Sequence, residues 1–157
     1  MQASLDLTGA RLKVARAKKH FDDLRQAVTT YLAEEPYPYA WEPDSEIAGF
    51  RVVVREKTPP PAELALLVGD TIHNARAALD HLAVAMAIRN GANAVGVKET
   101  YFPITESDQR FKTSGLDKIK HLSPADRQQI AASKPYQGGT IRYGSFINST
   151  LLTNTPS

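Results

Sequence analysis

Two stretches of this chain, Leu7 to Glu34 and Ala62 to Arg89, repeat apolar residues at steps of three and four, and all ten prolines fall outside them. No other feature constrains the fold as much, because a helix with one apolar stripe must lay it against a second element. In the first stretch the stripe is Ala10, Val14, Ala17, Phe21, Leu24, Val28 and Tyr31. Thr8 is placed to cap its start, and Pro36 and Pro38 stop it after Glu35. In the second, Leu64, Val68, Ile72, Ala75, Leu79, Leu82 and Met86 make the core-facing side, and Asn90-Gly91 suits a left-handed cap. At 1.5 Å per residue the second helix is roughly 40 Å long, enough to form the spine of a domain.

Between the helices, Tyr39 to Trp41 and Gly49 to Lys57 flank a Glu-Pro-Asp-Ser-Glu turn. The run from Phe50 to Arg55 is rich in β-branched residues, so a β-hairpin is expected over about 39–57. Pro59, Pro60 and Pro61 then form a stiff link into the second helix. Beyond it, Tyr101 to Ile104 reads as extended, Ser107 to Phe111 as the start of a short helix, and Ser123-Pro124-Ala125-Asp126 as the opening of another through about Ser133. The expected fold is mainly α with a small β-hairpin, an α+β class: two long antiparallel helices with the hairpin inserted between them and shorter C-terminal helices. Residues 1–139 read as a single helical domain. Residues 140–157 read as a poorly anchored tail, with no charged side chain from Tyr143 onward.

Composition removes several function classes. Apolar runs such as Leu64 to Val68 are far short of the roughly 18 residues that span a bilayer, and the N-terminus lacks a signal-peptide core, so a cytoplasmic protein without membrane contact is expected. With no cysteine there is no disulfide, thiolate metal site or thiol nucleophile, and His20, His73, His81 and His121 are the only imidazoles. A net charge of +2 is too mild to imply nucleic acid by itself. No cofactor is expected.

The second helix concentrates the chemistry. At about 100° per residue, Asp70, His73, Asn74, Arg76, Asp80 and His81 fall within an arc of roughly 160° opposite the apolar stripe. A solubilising face is built from Lys and Glu, whereas this arc holds short or planar hydrogen-bonding groups and neither of those residues. Leu66, Val84 and Ile88 bracket it, so a sheltered, hydrogen-bonded polar cluster is expected. The structural reading weighs as much as the functional one. Arg76 and Asp80 are four apart and can pair, Asp70 can accept from His73 or Asn74, and polar networks between helices fix register without catalysing anything.

The string Gly69-Asp70-Thr71-Ile72-His73-Asn74-Ala75-Arg76-Ala77-Ala78-Leu79-Asp80-His81-Leu82-Ala83 resembles the signature helix (GDxxHNxRxALDHLA) of a group of uncharacterised bacterial proteins. Phe102-Pro103-Ile104, Leu122-Ser123-Pro124 and Pro135-Tyr136-Gln137-Gly138-Gly139 resemble later segments of that group, so the likeness runs from about Leu64 to Gly139. It implies a further helix rich in Asn, Asp, Lys and His after Gly139, in place of which this chain has its uncharged tail; a truncated C-terminus is the expectation. Arg76 and His81, four residues apart between them, are also similar to the Arg-x4-His motif of the HEPN superfamily, small helical proteins many of which are metal-independent ribonucleases acting as dimers. That resemblance implies His81 as general acid or base, Arg76 as the stabiliser of phosphorane charge, and Asp80 as a polar neighbour.

The residues support two function classes. In one, a HEPN-like homodimer binds or cleaves RNA or a nucleotide with Arg76 and His81 catalytic, and with Asp70, His73, Asn74 and Asp80 in support. In the other, the same face is the structural network of a non-catalytic dimerisation or interaction module. Other constellations are weaker. Asp70-x-x-His73 and His20-x-x-Asp23 have metal-ligand spacing, but bundle metal sites carry more carboxylates, and no metal is expected. Arg11, Lys13, Arg16, Lys18 and Lys19 spread around a solvated face. Tyr37, Tyr39, Trp41, Phe50 and Tyr101 can stack on bases, though packing of the hairpin aromatics on a neighbouring helix is the plainer expectation.

Overall fold

The structure, a computed structural model, describes residues 4–137, so the expected tail over 140–157 and the turn at Gly138-Gly139 lie outside the described residues. In chain order the elements are α1 (Thr8–Ala33), β1 (Tyr39–Asp44), β2 (Gly49–Val54), α2 (Ala62–Arg89), α3 (Ala94–Glu99), α4 (Asp108–Arg110), a π-helical turn (Phe111–Gly115) and α5 (Pro124–Ala132). The fold is mainly helical, with a two-stranded antiparallel hairpin between the two long helices in the chain and shorter helices after them. The described residues pack as two compact units: Arg16–His73, and a second drawn from residues 4–15 and 74–137.

The unit that opens the chain is built around a real core. Leu7 and Ala10 join Leu82, Ala83, Met86 and Ala87 of α2, Phe102, Phe111, Ile119, Leu122, and Ile130 of α5 in one buried cluster. Thr8 is already helical, so it does not cap α1; the carboxylate of Asp6 accepts the Thr8 N–H at 2.9 Å instead. Gly91 takes the left-handed φ of 88° that ends α2. Asn93 then caps α3, accepting from Gly96 N–H at 2.9 Å. That helix carries no periodic signal in the sequence. The Tyr101–Ile104 segment carries no regular element and is not extended throughout as expected: the Ile104 N–H turns back to the Phe102 carbonyl at 3.0 Å, and the Thr105 N–H reaches the Pro135 carbonyl at 3.0 Å. Ser107 and Ser123 cap α4 and α5 through their hydroxyls.

Arg16–His73 is different in kind. It holds most of α1, the hairpin and the start of α2, yet its only buried apolar side chains are Ala17, Tyr31 and Pro36. The Tyr31 hydroxyl donates to the Thr58 carbonyl at 2.7 Å and lies 3.1 Å from that of Tyr37, from which it must then accept. Burial pushes the Tyr31 pKa up to about 12. This contact ties the end of α1 to the link beyond the hairpin. The aromatics of the strands do not pack on a helix as expected: Tyr39, Trp41 and Phe50 are exposed. Prolines flank the hairpin on both sides, at 36–38, where Pro36 and Tyr37 bend, and at 59–61, and no described element covers its face.

Candidate functional site

α2 has the expected boundaries, but its buried surface is narrow in the first half and wide in the second. Toward its start Leu64, Leu67 and Thr71 are half-buried, while Val68, Ile72 and Ala75 of the expected core stripe are exposed, Ile72 by 63%. Past His73 the buried residues are Asn74, Ala78, Leu82, Ala83, Met86 and Ala87. The physical reason is that the buried cluster containing Phe102, Ile119 and Ile130 packs around the second half of the helix, which widens its buried surface there.

The polar arc is divided between buried and exposed positions. Asp70 and His73 are exposed, as is His81, so the sheltered cluster expected from the helical wheel does not form. Asn74 is buried and its amide oxygen takes a long hydrogen bond, 3.5 Å, from the Lys13 ammonium. Arg76 and Asp80 do come together. Arg76 Nε donates to Asp80 Oδ2 at 3.2 Å, with the two side chains 34% and 29% exposed.

The pair grips one residue from both sides. Asp80 Oδ1 accepts the Phe102 N–H at 2.9 Å, and Arg76 Nη2 donates to the Phe102 carbonyl at 2.7 Å. The ring of Phe102 lies in the core, and the ion pair gives its backbone N–H an acceptor and its carbonyl a second donor beside the Ile104 N–H at 3.0 Å. Phe102 is a member of this site that sequence reasoning missed, since nothing in spacing links it to α2.

His81 makes no hydrogen bond among the described residues, and its ring lies against the first turn of α1. A Cβ at Gly9 would come within 2.9 Å of His81 Nδ1, so glycine at that position permits the close approach. His20 borders the α1 stripe with Nδ1 buried and without a hydrogen-bond partner among the described residues. Among the described residues no three His, Asp or Glu side chains gather as a metal site. No described helix is long and apolar enough to cross a membrane.

Further ties fasten the C-terminal end of α2 to α5 and the turn before it. Arg89 Nη2 donates to both oxygens of buried Asp126, at 2.6 and 2.7 Å, and the Ser123 hydroxyl donates to the same carboxylate at 2.7 Å. Asn90 donates to the His121 carbonyl at 2.9 Å. On the surface nearby, hydrogen bonds from His121 and then Lys120 hold the Glu99 carboxyl below its usual pKa. The Ser123-x-x-Asp126 spacing is the legible signal for the α5 cap; its Arg89 partner is not. No family model, no curated protein and no solved structure matches this chain.

Proposed function

We propose that this protein is a non-catalytic interaction module in which the polar face of α2 is a structural network. The observation that carries the reading is the commitment of Arg76. Its guanidinium spends its Nε–H on Asp80 and one Nη2–H on the Phe102 carbonyl, which makes it a clamp on the backbone of the core-entering segment. An interaction role also fits the unit Arg16–His73, which buries little apolar surface and exposes several large apolar side chains.

A metal-independent, HEPN-like ribonuclease is a second reading, favoured by His81 alone. Its ring is exposed and without a hydrogen bond among the described residues, which suits a general acid or base. One experiment separates the two. The purified full chain and His81→Ala are incubated with mixed RNA, with and without chelator. The structural reading expects RNA to survive equally with both proteins; chelator-resistant cleavage lost in His81→Ala overturns it.

A further inference from the structure

We infer that the β1–β2 hairpin is a self-association surface, its apolar face docking on the same face of a second copy of this chain. The inference deepens the interaction reading above by naming the partner. It begins with the register. The opposed pairs Tyr39↔Val54, Trp41↔Val52 and Pro43↔Phe50 alternate along the ladder with Ala40↔Val53, Glu42↔Arg51 and Asp44↔Gly49. Successive side chains of a strand point to opposite sides, so the first three pairs share one face. All six of those residues are exposed.

The other face carries Glu42, which is ion-paired with Arg55 and reaches Arg51 at 4.0 Å. One face apolar and the other charged is the alternation of a sheet with one side buried. Among the described residues nothing buries it. A hairpin of two strands is marginal in water by itself and needs something packed on its apolar face.

Charge and area select a second copy as the occupant. The apolar face holds no Lys, Arg, Asp or Glu, so an identical face meets it without like-charge opposition, while a charged partner finds nothing to pair with. A lipid surface is disfavoured because aromatic anchors bind anionic membranes with basic residues beside them, and here Arg51 and Arg55 stand on the opposite face with Glu42. A covered aromatic side chain buries about 150–250 Å². With Tyr39, Trp41 and Phe50 exposed by 70, 66 and 62%, these three would give up roughly 300–500 Å² in each copy. Two copies, with Val52, Val54 and Pro43 added, approach the roughly 1,200 Å² at which stable interfaces begin. Face-to-face sheets related by a two-fold axis form such an isologous contact. Trp41 and Val52 make the central pair of the face, where binding energy concentrates.

Trp41 is the only tryptophan, so its fluorescence reports on this face alone. Sedimentation of the full chain across a concentration series is expected to show twice the 17.2 kDa chain mass, falling to one chain on dilution. Trp41 emission is expected to shift to the red with the same midpoint. Trp41→Glu is expected to be monomeric where the wild type is dimeric, with its helical circular dichroism retained. If that variant fails to fold, Val52→Lys replaces it, and the wild-type dilution needs no variant. Three results overturn the proposal: a monomer at every concentration, a dimer whose Trp41 emission stays that of an exposed indole, or a blue shift at monomer mass that appears only with phosphatidylserine vesicles. A monomer that leaves RNA intact overturns this proposal alone, and His81-dependent cleavage by a dimer overturns only the non-catalytic reading.

Discussion

Asp80 holds two partners at once, the Phe102 amide and the Arg76 guanidinium, and their relative worth decides what the residue is for. An exposed i,i+4 ion pair is worth about 0.3–0.5 kcal/mol. A buried backbone N–H left without an acceptor costs about 1–3 kcal/mol. The second contribution is larger, so Asp80→Ala is expected to destabilise by about 2 kcal/mol. The check is the urea midpoint at unchanged slope; a loss no greater than that of an exposed ion pair would mean the Phe102 amide finds water instead. The Arg76–Asp80 pairing is legible in the sequence because four residues is one helical turn. Phe102 is not legible, because it lies in an irregular segment and only the fold carries its backbone to the pair. His81 was singled out by spacing, and its exposure and its contact with Gly9 come from the packing of α1's first turn.

Among the elements, the extents of α1, the hairpin, α2 and α5 follow from local signals: apolar period, β-branched runs, proline links and serine caps. α3 escapes because six residues are too few to show a period, and its only cue is the capping side chain of Asn93. The tie between α1 and the link after β2 rests on Tyr31, and it is pH-dependent. The folded pKa lies near 12, above the roughly 10 of an unfolded tyrosine, so folding favours the protonated form. Its stabilisation is complete below about pH 10 and is lost as pH rises toward 12. Phenolate absorbance is expected to show one tyrosine titrating well after the rest, together with loss of ellipticity, and Tyr31→Phe is expected to remove that late phase. A late phase that persists in Tyr31→Phe would assign it to another residue.

For the whole molecule, the two units differ in how much they bury. The unit with α2's second half closes eleven residues into one core, whereas Arg16–His73 buries only Ala17, Tyr31 and Pro36 among its apolar side chains. Local opening free energy follows buried apolar contact. Hydrogen exchange on dilute protein is therefore expected to protect Ala83, Met86 and Ala87 most and the hydrogen-bonded hairpin amides of Arg51 and Val53 least. Equal protection in both would show that the core does not set local stability. The sequence by itself determined that two long helices bracket a hairpin, since apolar period, turn chemistry and proline placement are local properties of the chain. It also determined which side chains could do chemistry, by gathering His, Asp, Asn and Arg on α2. Only the tertiary structure decided which of them are spent holding the backbone and which apolar faces stay bare. The reason is that burial depends on what lies opposite a face, and a wheel drawn for one helix treats all its turns as facing the same neighbour.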